Sequence, residues 1–66
     1  MINITLNGEA FDLDGKSIPA LVVQLDANSD HVAIMVNGSV ASRESWNEKM
    51  LSEGDSIEVL TFAAGG

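Results

Sequence analysis

Few residues in this chain are of a type that does chemistry, and their spacing removes most of them. Asp12-Leu13-Asp14-Gly15 has the opening of a calcium loop. Such a loop needs further oxygen ligands and a closing glutamate, and the closing position holds Val23. A solvated turn is the expected reading. His31 is the sole histidine, and there is no cysteine. A thiolate metal site, a disulfide scaffold and a cysteine nucleophile are therefore excluded. A lone imidazole lacks the partners that metal binding or acid–base catalysis requires, so His31 is expected at a strand edge. There is no nucleophile elbow, and no Gly-rich phosphate loop follows a strand. Asn3-Ile4-Thr5 and Asn37-Gly38-Ser39 fit the glycosylation pattern, which means nothing without a secretory signal. What remains is Ala63-Ala64-Gly65-Gly66. Side chains shrink from Phe62 to alanine to none. Such a tail is expected to be mobile. Glycine lets a backbone approach a partner closely, so the tail suits a narrow channel. The distinctive group it presents there is the α-carboxylate of Gly66.

The elements that must carry this tail are legible in the pattern. Ile2, Ile4 and Leu6 alternate with polar residues, as a half-buried strand does. Asn7-Gly8 is a hairpin turn, because both residues tolerate positive φ, and Phe11 and Leu13 share one face of the return strand. Asp14 to Ser17 turns into a helix capped by Ser17, with Pro19 in its first turn and Ile18, Leu21, Val22 and Leu25 along one stripe. The helix is expected to end at Asp26 to Asp30, with Asn28 as a left-handed cap. Val32 to Val36 reads as a buried strand and Asn37-Gly38 as a second turn. Val40-Ala41 reads as a short edge strand. Ser42 to Leu51 reads as a short helical turn anchored by Trp46, Met50 and Leu51. Glu53-Gly54-Asp55 is a tight turn before the last strand, Ser56 to Phe62. One helix stripe needs burial, so the fold class is α+β, with one main helix on one face of a mixed sheet of four to five strands. The first and last strands are expected to be parallel neighbours at its centre.

Residues 1–66 make a single small domain of 6.9 kDa. Hydrophobic residues are 45% of the chain, which argues against disorder. No apolar run approaches the ~20 residues of a membrane span, and no secretory signal is visible, so a cytoplasmic location is expected. The net charge of −7 disfavours nucleic acid and favours electropositive protein partners. If Ile57 and Val59 face the core, Glu58, Leu60 and Phe62 face outward. Inward Val32, Ile34 and Val36 likewise turn Ala33 and Met35 outward. An apolar outer patch marks a partner site, with self-association or a one-residue register slip as the alternatives.

These residues resemble the ThiS family, the small sulfur carrier proteins of thiamin biosynthesis. The likeness lies in the Asn7-Gly8 hairpin and the helix from Ile18 to Leu25. It continues through Val36-Asn37-Gly38, Val40 and Arg43, and ends with Glu53-Gly54-Asp55 and the terminal Gly65-Gly66. It spans essentially the whole chain. One departure is Ser42, where the family often has proline before the arginine. The resemblance implies a ubiquitin-like β-grasp fold and a carrier with no catalytic residue and no bound cofactor. It implies that an E1-like adenylyltransferase uses ATP-Mg to adenylate Gly66. A sulfur donor system, usually a cysteine desulfurase, would then convert that carboxylate to a thiocarboxylate, and thiazole synthase would accept the sulfur. Gly65, Ala64, Ala63, Phe62, Leu60 and Met35 would form the partner-binding tail and patch. Three readings stay open beside it: the small subunit of molybdopterin synthase, a ubiquitin-like modifier joined to lysines, and a plain acidic interaction module.

Overall fold

A computed structural model describes residues 1–62 of the chain. Its strands are β1 (Ile2–Leu6), β2 (Glu9–Leu13), β3 (Val32–Val36), β4 (Ser39–Ala41) and β5 (Ser56–Thr61), with one helix, α1 (Ile18–Gln24). They form one mixed sheet in the order β2-β1-β5-β3-β4. β1 runs parallel to β5 at the centre, and the other neighbours are antiparallel. This is the expected α+β arrangement, with five strands. Both hairpins turn on Asn-Gly. Asn7 and Asn37 sit at φ 49° and 51°, and each following glycine at 86°, the pair of positive angles that matches strand twist.

α1 forms where its sequence asks for it. Ser17 Oγ accepts the amide of Ala20 at 3.1 Å, and proline occupies the first turn, where its missing N–H has no intrahelical partner. Ile18, Leu21 and Val22 are buried. They meet Ile4, Leu13, Ile34, Leu51 and Ile57 in a core between helix and sheet.

Two local expectations change. Asp26, not Asn28, takes the left-handed position after the helix, at φ 55°. The Asp26 amide reaches Val23 O and the Ala27 amide reaches Val22 O, the paired closure of a Schellman end. Ala27 then packs on the core. Asn28 instead caps the 3₁₀ turn Ser29–His31, its Oδ1 accepting from the Asp30 amide at 3.0 Å. The segment after β4 holds only a 3₁₀ turn, Arg43–Ser45. Trp46 and Leu51 are buried there, but Met50 is 58% exposed. Met50 bridges Ser17 as a strand residue does. Successive residues of extended backbone point to opposite sides, so burying Leu51 turns Met50 outward.

Candidate functional site

The chain's candidate chemistry lies beyond β5, so the site begins with what holds that strand. β3 pairs along its full length, from Val36 opposite Ile57 to Val32 opposite Thr61. β1 reaches only Ser56 and Ile57. The asparagines of the two turns supplement these ladders. The Asn37 amide donates to Ser56 O at 2.7 Å, its Oδ1 accepts from the Ser56 amide at 2.9 Å, and its Nδ2 donates to Asp55 Oδ1 at 3.1 Å. Farther along, Asn7 Oδ1 accepts from the Val59 amide at 2.9 Å while its Nδ2 donates to Val59 O at 3.3 Å. A side-chain amide carries one acceptor and one donor group in the same plane, so here it stands in for a peptide unit of a missing strand residue. The turn before β5 is tied down as well. The Glu53 carboxylate accepts the Asn3 amide at 3.1 Å, and the Gly54 amide donates to Asn3 O at 2.8 Å.

Side chains of β5 alternate about the sheet. Ile57 is fully buried, and Val59 packs against the core. Leu60 and Phe62 lie on the opposite face, each 56% exposed. Leu60 stands opposite Ala33, and Met35 lies between Glu58 and Val40. Met35 is half-buried, while Val40 is exposed. Phe62 sets its ring edge-on to His31, with centroids 6.5 Å apart, and its amide donates to His31 O at 2.9 Å. His31 thus closes the 3₁₀ turn just before β3. Ala33, Met35, Val40, Leu60 and Phe62 therefore share one outer face, with Glu58 among them. Ala63, Ala64, Gly65 and Gly66, with their expected mobility, lie outside the described residues.

The helix side carries a different feature. Pro19, Val22, Val23, Ala27 and Trp46 line an open groove of about 330 Å³ with Arg43 at its rim. Arg43 stacks over Trp46 at 5.1 Å and pairs with Asp30 at 2.9 Å. Both partners of that pair are largely solvated, so it contributes little to stability. The Trp46 indole donates to Ala41 O at 3.0 Å inside the core. Among the described residues, no three His, Asp or Glu side chains stand where they could hold a metal ion. The sequence reading missed the two asparagine brackets and the place of Val40 in the outer face. A signal existed for the first. Each hairpin uses asparagine where glycine would also serve the backbone, and only asparagine adds hydrogen bonds.

The model of the ThiS family matches residues 4–66, nearly the whole chain. The chain belongs to the ThiS family. The sulfur carrier protein ThiS of Escherichia coli K12 is 31% identical over 52 residues, covering 79% of each chain. A thiazole synthase of Magnetococcus marinus is 35% identical over 66 residues, which span 98% of this chain and 20% of that protein. The crystal structure of the thiamine biosynthesis protein ThiS from Geobacter metallireducens superposes with a TM-score of 0.82 at 32% identity, covering 98% of this chain and all of that one. The β-grasp architecture expected from the family is thus the fold of this ThiS-family chain. Among the described residues, no helix is long and apolar enough to cross a membrane.

Proposed function

We propose that this protein is a sulfur carrier of thiamin biosynthesis whose working group is the carboxylate of Gly66. The carrying observation is the ThiS-family match over residues 4–66, which takes in Gly65-Gly66 four residues beyond the central strand. A free carboxylate, ionised above a pKa of about 3.5, is a poor electrophile. An E1-like adenylyltransferase joins a carboxylate oxygen to the α-phosphate of ATP, and pyrophosphate leaves. The Gly66 carbonyl now bears AMP as a leaving group. A cysteine desulfurase persulfide displaces AMP, and a thiol cleaves the resulting disulfide, leaving the thiocarboxylate. Thiazole synthase accepts that sulfur. ATP-Mg belongs to the activating enzyme, and the carrier binds no cofactor. Its own part is to present the tail and offer a docking face. Met35, Leu60 and Phe62 form the core of that face, with Ala63, Ala64 and Gly65 as the thread into the partner's channel.

The likeness to a segment of a thiazole synthase polypeptide favours the thiazole branch over the pterin one. The decisive measurement is intact mass. After incubation with the activating enzyme, ATP and a sulfur source, Gly66 exchanges one oxygen for one sulfur. A chain extended by one residue beyond Gly66 folds but gains no sulfur. An unchanged native mass in the presence of a demonstrably active enzyme overturns the reading.

A further inference from the structure

β5 has an edge that its own sheet leaves open. Ser56 and Phe62 hydrogen-bond toward the β3 side, through Asn37 and His31. In an antiparallel ladder this parity makes Ser56, Glu58, Leu60 and Phe62 face β3, and Ile57, Val59 and Thr61 face the other way. On that other side the Asn7 amide donates to Ile57 O. The Asn7 side chain then takes both polar groups of Val59. There the hairpin ends. Among the described residues, none pairs with Thr61 N–H or C=O on that side, and Thr61 is exposed. An unpaired edge at the centre of a sheet is a template for another strand. It is not closed off by a charged side chain or a proline at Thr61.

We infer that the enzyme that takes the tail docks by strand addition, laying an extended segment of its own against the open edge of β5 at Thr61. The inference rests on the sulfur-carrier reading. Main-chain hydrogen bonds supply the register, and the side chains of Leu60 and Phe62 on the outer face supply apolar contact. The added segment is flanked by lysine or arginine, because the carrier has a net charge of −7 and Glu58 stands beside this face. A second copy of this chain is disfavoured by the same charge.

Thr61→Pro tests it. Proline removes the amide that β3 does not use, and an edge position with its N–H toward solvent tolerates it. Isothermal titration of the full chain against the purified adenylyltransferase and thiazole synthase is the first readout. T61P is expected to bind about tenfold more weakly or worse, the loss of one intermolecular hydrogen bond or more, while Thr61→Val binds like the native chain. The second readout is amide exchange in the native chain, which does not depend on the variant folding. The Thr61 amide is expected to exchange at least about tenfold more slowly once an enzyme is bound. Unchanged exchange at Thr61 in a formed complex, or undiminished binding by folded T61P, overturns strand addition and leaves the carrier reading standing. Binding to neither enzyme overturns both. Protection of Thr61 in the chain alone at high concentration would instead assign the edge to self-association.

Discussion

At Asn37 a backbone demand and a side-chain demand fall on one residue. The turn needs φ near 51°, which excludes most L-residues. The start of β5 needs an acceptor for Ser56 and a donor for Asp55. Asn37→Asp meets the first demand and half of the second. Its carboxylate still accepts from Ser56, but it faces the Asp55 carboxylate across what is now a 3.1 Å hydrogen bond. Two such groups cannot both ionise without cost. The substitution is expected to lose roughly 1–2 kcal/mol at neutral pH, measured by urea denaturation. Like charge raises the carboxyl pKa of the folded variant above its unfolded value of about 4. The deficit is therefore small below that value and grows as pH rises through the raised one. A deficit that stays constant with pH would show that the lost donor, not the charge pair, sets the cost.

The turns are elements in their own right here, because they fix where β5 starts. Glu53-Gly54-Asp55 brings the chain back beside Asn3 and launches the parallel strand. Gly54 stands at φ 85°, and a side chain there would meet nothing within 4 Å. Space is free while the backbone angle is not. Gly54→Ala is accordingly expected to cost about 1 kcal/mol by strain alone, with the m-value of denaturation unchanged. A neutral result would mean that the turn relaxes into another geometry. The helix shows the same division of labour. Its cap and stripe are local, and they were read directly from Ser17, Pro19, Ile18, Leu21 and Val22. Its end was misplaced by two residues, because Asp and Asn both tolerate the left-handed angle. The choice of Asp26 depends on Ala27 reaching the core, which is a tertiary contact.

Taken whole, the described residues form an acidic body with an apolar outer face that includes Leu60 and Phe62 at the end of β5. That arrangement predicts two separable effects on partner association. Leu60→Asp is expected to leave thermal unfolding nearly unchanged, since the side chain is already more than half exposed. Affinity for the adenylyltransferase should drop about tenfold or more, as an apolar contact is replaced by a buried charge. Stopped-flow association of the native pair should slow as salt is raised, because screening removes long-range attraction to a basic partner. If Leu60→Asp unfolds the domain, the face is structural and the docking role fails. A salt-independent rate would remove the electrostatic part alone.

The sequence by itself determined the elements and the chemistry on offer. Period-two alternation, two Asn-Gly pairs and a capped apolar stripe are local signals, each written within a few residues. The elimination of cysteine and of any partnered histidine needed composition alone, and it left the carboxylate of Gly66 as the proposed working group. The helical turn expected from Ser42 to Leu51 is confined to Arg43–Ser45, because Leu51 answers to a distant partner, Lys16 O, that no local pattern announces. Strand register, the brackets made by Asn7 and Asn37, and the open edge at Thr61 belonged to the tertiary structure. Each depends on residues some twenty to fifty positions apart meeting across a sheet, and that meeting is set by how one core closes.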